Sequence, residues 1–367
     1  MAQVPATVIT TPMSDEPRTT QERAKDAFGP RAISAPRRVR PDTGEVLFFT
    51  VADEAYVLGL VGLVNSLRLT GHEQRIVVLD VGLTDRTRAL LQPECEFLQP
   101  SSGRVLHPYL LYPLAEDLSH GGVIVIVDSD VIVTGTLEPL LEEAHRGKIC
   151  AMAEVKRNRW FPEWEQLLEL QGSIRPQPCV NTGFLTFSTV HHPNLLSRWG
   201  ELIEKVAARD PDWARGTVDR QSPFSNYDQD VLNALLMSEY PADALIILED
   251  RRAPGNREMR DAVRVADIRS LVCTCHRDRT LILHDLSQPK AWQGGGIRGV
   301  HRDAYLVLLR RLLTWSDVAV RLPPEKLPTW LRPGLAGAVR FHALSSLGNL
   351  RQAVQFVRRR SRRITES

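Results

Sequence analysis

Residues 122–135 read Gly-Val-Ile-Val-Ile-Val-Asp-Ser-Asp-Val-Ile-Val-Thr-Gly. The run Val123 to Val127 is unbroken, β-branched and apolar. That is the pattern of a strand buried on both faces, as in the parallel sheet of an α/β domain. Asp128 and Asp130 stand at its carboxyl end, where open α/β sheets bind their ligands. Side chains two apart in extended backbone face the same side, so the pair is expected to converge. Two bare carboxylates in a partly buried place repel each other. A divalent cation between them relieves the repulsion, and oxygen donors suit Mn²⁺ or Mg²⁺. The alternative is a plain strand ending in a polar turn, where Asp is common.

The text before this stretch alternates in type. Val46 to Val51 reads as a strand, followed by Asp53 and an apolar, helix-length segment from Tyr56 to Leu69. Arg75 to Leu79 is a second strand, ended by Asp80. Thr84 to Leu91 is a helix with Thr84 as its N-cap. A β-α-β-α order predicts a parallel sheet with right-handed crossovers. After the Asp-Ser-Asp strand come a helix (Leu137 to His145) and a strand (Lys148 to Ala153). An aromatic, irregular stretch carries Trp160, Phe161 and Trp164. Then follow a strand (Cys179 to Phe187), a helix (His192 to Ala208) and a polar loop (Pro211 to Ser225). Asp228 to Met237 reads as helix, and Leu245 to Leu248 and Leu281 to Leu283 as short strands. His301 to Trp315 is an amphipathic helix. No internal repeat is present.

Three regions are expected: residues 1–44, rich in Pro, Thr, Ser and charge and read as disordered; a domain over 45–317; and a Pro-rich connector with a basic amphipathic helix over 318–367. The stripe of that helix is Leu347, Leu350, Val354 and Val357. At 367 residues, with 43% hydrophobic and 25% charged, the chain can build a sizeable core. Its net charge of +2 conceals a division: residues 318–367 hold ten Lys+Arg and two Asp+Glu, +8 in all, so the remainder carries −6. A basic amphipathic segment can lie on an anionic membrane surface, or pack on the domain with a solvated arginine face. Neither aromatic interleaving nor a recognition motif supports nucleic-acid binding. The five cysteines are irregularly spaced and several sit in apolar runs. This fits a reduced, cytoplasmic setting better than a disulfide framework. No apolar stretch reaches the roughly 18 residues of a membrane span, and the first residues lack the charged-then-apolar order of a signal peptide.

Four polar islands stand at expected strand ends or helix starts: Asp53; Asp128 with Asp130; Asn181 with Asp228 and Gln229; and His284 with Lys290. Their order and spacing resemble the retaining family 8 glycosyltransferases, the family of glycogenin and of bacterial lipooligosaccharide galactosyltransferases. Phe48-Phe49-Thr50-Val51-Ala52-Asp53-Glu54-Ala55-Tyr56 resembles that family's opening strand and Ala-Asp-x-x-Tyr turn. Val125 to Val131 resembles its Asp-x-Asp strand, and Val180-Asn181-Thr182-Gly183-Phe184 its Phe-Asn-(Ala/Thr/Ser)-Gly segment. Asp228-Gln229-Asp230-Val231-Leu232-Asn233 resembles its Asp-Gln-Asp-x-x-Asn helix. His284-Asp285-Leu286-Ser287-Gln288-Pro289-Lys290-Ala291-Trp292 resembles its closing His-x-x-Gly-x-x-Lys-Pro-Trp. Three departures stand out. Several bacterial members carry Arg before the Asp-x-Asp strand, where Pro108-Tyr109-Leu110-Leu111-Tyr112-Pro113 holds no cation. Ser287 stands for the Gly of the closing motif, and Ala291 for its Pro.

The resemblance implies a GT-A fold, that of nucleotide-diphospho-sugar transferases: α/β, with a mostly parallel central sheet flanked by helices. It implies transfer of a hexose from a UDP-sugar, with retention, to an acceptor that the sequence does not name. It places Asp53 at the uridine, Ala52 and Tyr56 among the donor-binding residues, and Lys290 at the diphosphate. Asp128, Asp130 and His284 become ligands of Mn²⁺ or Mg²⁺. Asn181, Gly183 and Asp228 hold the donor sugar, with Gln229 near the anomeric carbon opposite UDP. An amide there is a poor nucleophile, which favours front-side attack over a covalent intermediate.

Two other functional readings remain. In a haloacid-dehalogenase-type phosphatase, Asp128 would be nucleophile and Asp130 general acid, but no downstream acidic pair follows. In a sugar-nucleotide-binding protein without turnover, loss of Asp128, Asp130 or His284 would be expected, yet all three are present. Cys273 and Cys275 lack a second ligand pair at zinc spacing and read as buried strand cysteines. Trp160, Phe161 and Trp164 can line an acceptor site or pack in the core. Asp210 and Asp212 read as solvated loop residues.

Overall fold

The computed structural model describes residues 46–100, 106–118, 121–255, 257–287, 290, 292–293, 304–344 and 346. The expected N-terminal extension (1–44), all four residues of the expected C-terminal stripe, and Gln288, Pro289 and Ala291 lie outside them.

In chain order the principal elements are β1 (Val46–Ala52), α1 (Val57–Leu69), β2 (Arg75–Asp80), α2 (Asp85–Leu91), β3 (Glu96–Leu98), β4 (Val123–Val127), β5 (Val131–Val133), α3 (Glu138–His145), β6 (Ile149–Ala153) and α4 (Glu163–Leu168). They continue as β7 (Val180–Ser188), α5 (Leu195–Arg209), α6 (Pro211–Ala214), α7 (Asp228–Glu239), β8 (Leu245–Leu248), α8 (Arg257–Ala262), β9 (Val263–Asp267), β10 (Val272–Cys275), β11 (Asp278–Thr280), β12 (Ile282–His284) and α9 (Ala304–Thr314). The main sheet has the order β3-β2-β1-β4-β7-β6-β8. Its pairs are parallel except those of β7, which runs antiparallel to both β4 and β6. The sheet is thus mostly parallel, as the alternating sequence text predicts.

The sheet is covered on both faces, which is why its central strands read as continuous apolar runs. Alternate residues feed two cores: Val123, Val125 and Val127 join the side of α1 and α9, while Ile124 and Ile126 join the side of α5 and α7. Trp164, Trp199 and Trp213 fill the second core and are fully buried. Trp164, one of the three aromatics weighed for an acceptor site, is therefore core; its Nε1–H donates to Pro223 O at 2.9 Å. Phe161 packs at the edge of the same core beneath Arg159, and Trp160 is exposed. Cys273 and Cys275 are buried on β10, in keeping with strand cysteines. The expected polar loop after α5 contains the short helix α6. Asp210 caps it, accepting from the N–H groups of Asp212 (3.0 Å) and Trp213 (2.9 Å), so Asp210 is structural rather than merely solvated.

Helix α1 is buried from Val57 to Leu67. Its glycines let backbone approach: a Cβ at Gly59 would stand 2.7 Å from Ser129 O, in the turn between the two aspartates. Asn65 is its one amide side chain. Its Nδ2 donates to Leu312 O and Val320 O, both at 2.9 Å, and its Oδ1 accepts from Val320 N–H at 2.8 Å. This single side chain satisfies a carbonyl in the last turn of α9 and two backbone groups of the connector. Val320, Leu322, Leu327, Trp330 and Leu331 of that connector are buried against the core that holds α1.

Asn65→Leu keeps the volume and orphans three buried backbone groups. It is expected to cost about 3 kcal/mol in urea unfolding. A loss below about 1 kcal/mol, the range of an ordinary single hydrogen bond, would show that water replaces the amide.

Candidate functional site

Strand β4 ends at Val127. Asp128 N–H donates to Gly183 O at 3.0 Å, and Val131 N–H folds back to Asp128 O at 3.1 Å. The chain therefore turns tightly through Asp128-Ser129-Asp130 before β5. The aspartates converge because of this turn, not by strand alternation as expected from the sequence. β5 then pairs antiparallel with β12, in register Val131 opposite His284, and Asp285 N–H donates to Asp130 O at 3.1 Å. This two-stranded pairing brings residues over 150 positions apart into contact. His284 Nε2 lies 3.2 Å from Asp128 Oδ2 and 3.1 Å from Asp130 Oδ1. Lys290 Nζ lies 2.6 Å from Asp130 Oδ2 and donates to Asp285 O at 2.7 Å.

Asp130, His284 and Lys290 are all buried. Burial alone would push the Asp130 carboxyl up, but His284 and then Lys290 hold it down at about 2. Burial would push the His284 imidazole down, but Asp130 and Asp128 carry it up to about 9. Burial likewise works against the Lys290 ammonium, and Asp130 more than offsets it, raising its pKa. Without a metal the ring proton of His284 substitutes for a cation between the carboxylates.

The donor set fits a divalent cation. One ligand atom each from Asp128, Asp130 and His284 lie within 4.8 Å of one another, and among the described residues this is the one such group of three. Two carboxylates and an imidazole are a borderline-hard set suited to Mn²⁺ or Mg²⁺. Gly183 makes room for the ring: a Cβ there would fall 2.5 Å from His284 Cε1 and 2.8 Å from Asn181 Oδ1. His284 Nδ1 is buried with no hydrogen-bond partner, so packing against Gly183, rather than a second hydrogen bond, orients the imidazole.

The cluster opens on a cavity of about 350 Å³, within the size range of small-molecule sites. Every residue proposed from the sequence except Gly183 lines it: Ala52, Asp53, Tyr56, Asp128, Asp130, Asn181, Asp228, Gln229, His284 and Lys290. Trp160, Phe161 and Trp164 do not. Asp53 follows β1 and accepts from Ala55 N–H (2.9 Å) and Tyr56 N–H (3.1 Å) through Oδ1, capping a single 3₁₀ turn. Trp292 Nε1–H reaches back to Ala55 O at 2.9 Å and its ring meets Tyr56 edge-on. The end of the closing motif is thereby tied to the opening turn.

Helix α7 starts at Asp228. Asn233, one turn on, accepts from Val180 N–H and donates to Val180 O, both at 2.8 Å, as a neighbouring strand would. This pins α7 against β7 and brings Asp228 and Gln229 beside Asn181. Asp228 is buried, and its Oδ2 has no partner. Burial, then the charge of Asp128, pushes its carboxyl well above the usual range. Asp230 instead faces a bidentate Arg159, with both contacts at 2.7 Å, and is structural.

Two residues escaped the sequence reading. Tyr112 donates its hydroxyl to Asp128 Oδ1 and stacks on Trp199. It stands in the stretch where a cation was absent, and burial followed by Asp128 pushes its phenol pKa well up, so it stays a neutral donor. Glu154 follows β6 and accepts from both Asn181 and Gln229. One signal pointed to it: like Asp53 and Asp128, it is an acid just past the carboxyl end of a buried strand.

These features are those of a GT-A glycosyltransferase fold. No protein-family model matches the chain, and no curated protein matches it. Among solved structures it is similar to the bifunctional glycosyltransferase WbbM, with TM-score 0.50 and 14% identity over 78% of this chain and 51% of that one. The chain thus spans about half the length of WbbM. It is also similar to the galactosyltransferase LgtC, solved with donor and acceptor sugar analogs, with TM-score 0.47 and 16% identity over 74% and 98%. GlyE of Streptococcus pneumoniae TIGR4 follows with TM-score 0.41 and 18% identity over 68% and 56%. At these identities the likeness is one of fold.

Metal coordination needs a neutral His284, so binding of Mn²⁺ near neutral pH should release its proton. Affinity should rise as pH climbs towards about 9 and level off above it. Titration calorimetry in buffers of different ionisation enthalpy counts the proton. No proton release would exclude His284 as a ligand. Gly183→Ala should displace the imidazole and weaken Mn²⁺ binding about 10- to 100-fold; unchanged affinity would mean the ring can relax elsewhere.

Proposed function

We propose that this chain is a metal-dependent glycosyltransferase of the family 8 type, transferring a hexose from a UDP-sugar to an acceptor with retention. The observation that carries the reading is the lining of one cavity. Asp128, Asp130 and His284, a group able to hold a cation, line it with Lys290, and so does a hydrogen-bonding set of Asp228, Asn181 and Gln229.

Asp128, Asp130 and His284 would hold Mn²⁺ or Mg²⁺, which when bound neutralises charge on a diphosphate as it leaves. Lys290 adds a fixed positive charge beside that position. Asp53, Ala52 and Tyr56 would receive the nucleotide. Asp228 has a free buried oxygen and a carboxyl inclined to keep its proton, so it can both accept from and donate to sugar hydroxyls. Gln229 is an amide held by neighbours and is a poor nucleophile. That supports front-side attack, in which the acceptor hydroxyl gives its proton to the departing phosphate oxygen. Fixed charges and positioning would then supply most of the barrier lowering. The phosphatase reading lacks support, because a histidine and a lysine surround Asp130 in place of a second acidic pair.

The catalytic unit would comprise residues 45–317, with the connector packed on it. No helix among the described residues is long and apolar enough to cross a membrane. The helical stretch 335–344 exposes Leu335 and Val339, one turn apart, just before the arginine-rich end of the chain. These support a peripheral contact with an anionic membrane surface. The five cysteines are free and buried, in keeping with a cytoplasmic setting.

The test is UDP release from a panel of UDP-sugars with Mn²⁺, with Asp130→Asn as control. Slow hydrolysis of one donor by the wild type alone is expected, with the variant at background. Absence of both UDP release and Mn²⁺-dependent donor binding would overturn the assignment.

A further inference from the structure

We infer that Glu154 is a positioning residue that sets which way the amides of Asn181 and Gln229 point into the cavity, and so acts on the rate of transfer rather than on donor binding. The inference rests on the proposed transferase reading for its kinetic consequence, but not for its geometry.

Glu154 is the first residue after β6. Its N–H donates to Cys179 O at 2.9 Å, just past a register shift in the β6–β7 pairing that sets Met152 opposite Asn181. The backbone on both sides is thus fixed by a ladder, and the side chain has little freedom to choose. Its Oε2 accepts from Asn181 Nδ2 at 2.9 Å and from Gln229 Nε2 at 3.0 Å. Glu154 does not itself line the cavity, whereas Asn181 and Gln229 both do.

The polarity of the network follows from one fact: an ionised carboxylate only accepts hydrogen bonds. The Gln229 atom facing Glu154 must therefore be nitrogen, and so must that of Asn181. With its nitrogen committed to Glu154, Asn181 also donates to Gln229 Oε1 at 2.9 Å. That leaves Asn181 Oδ1 to accept from Gly183 N–H at 2.9 Å, beside the ring of His284. Every assignment agrees: the Gly183 N–H fixes Asn181 Oδ1 from one side, and Glu154 Oε2 fixes both amide nitrogens from the other. Both Nδ2 hydrogens of Asn181 are then committed within the protein, and its Oδ1 keeps one lone pair. Gln229 keeps one N–H and one lone pair to offer a ligand, in an order that Glu154 and the Asn181 amide set together.

The kinetic consequence follows from charge. As a glycosidic bond to phosphate breaks, positive charge develops at the sugar carbon. A carboxylate placed behind the Gln229 amide polarises that amide towards the carbon without itself being able to reach it. Such an effect grows in the transition state and is small in the ground state, so it belongs to kcat and not to KM.

The experiment compares wild type with Glu154→Gln, which keeps size and shape but can donate, and Glu154→Asp, which keeps charge but is one carbon short. Three readouts are taken: UDP release with Mn²⁺, thermal stability, and the side-chain amide signals of Asn181 and Gln229 in ¹⁵N-labelled protein, assigned by Asn181→Asp and Gln229→Glu. Glu154→Gln is expected to lower kcat about 10- to 100-fold with KM for the donor little changed. Its melting temperature should stay close to wild type, and both amide signals should shift or broaden. Glu154→Asp should fall between. Unchanged kcat, or a loss confined to KM or to stability, would overturn the inference. Unmoved amide signals in Glu154→Gln would overturn it on geometry alone. That last readout decides even if the wild type turns over no UDP-sugar, an outcome that sinks the transferase reading separately.

Discussion

A carboxylate buried between an imidazole and an ammonium group is the interaction on which the rest of the site depends. Asp130 is removed from water, and an unpaired charge there would be strongly unfavourable. His284 and Lys290 offset that cost from two sides. Both arrive from the far end of the domain, carried by β12 and the loop after it. The pairing of β5 with β12 is therefore more than a small accessory sheet: it is the device that assembles the cluster. Asp285 helps to close the loop, accepting from Ser287 N–H at 3.1 Å while its own backbone oxygen accepts from Lys290.

The remaining architecture holds that device still. Helix α1 runs beneath the aspartate turn, and Gly59 admits it to the Ser129 carbonyl. Ser66, from the same helix, accepts from Val133 N–H of β5 at 3.0 Å. Asn65 then ties α1 to α9 and to the connector. A mostly parallel sheet supplies strand ends on one side of the molecule, and Asp53, Asp128 and Glu154 all occupy such ends. The antiparallel strand β7 breaks the parallel order, and its Asn181 stands where the two halves of the sheet meet. The cavity is lined from the ends of β1 and β4, where the strand order reverses, the place where open α/β sheets bind ligands.

The legible part of the site consisted of residues whose chemistry announces itself locally. Asp-Ser-Asp after an apolar run, Asn181-Thr182-Gly183, and Asp228-Gln229 at a helix start could each be read in place. Ten of the eleven residues singled out line the cavity, and Gly183 abuts His284 directly. The misses share a cause. Glu154 and Tyr112 act through partners distant in the chain; Glu154 carries only the weak signal of an acid past a strand end, and Tyr112 carries none. Trp164 was readable either way and proved core, because an aromatic cluster in irregular text looks the same whether it faces a core or a ligand. Asp128 and Asp130 met for a reason different from the one expected, since a turn rather than a pleat brings them together.

The amino-acid sequence by itself determined the α/β alternation, the buried strand and the polar groups, two carboxylates and an imidazole among them, that could hold a cation. Those are matters of periodicity and residue chemistry, which are local. Only the tertiary structure decided which groups meet, which carboxyl keeps its proton and which amide end faces the cavity. Those depend on burial and on distances of about 3 Å between charged or polar atoms, and electrostatic energies at such range are set by the surroundings rather than by the residues alone.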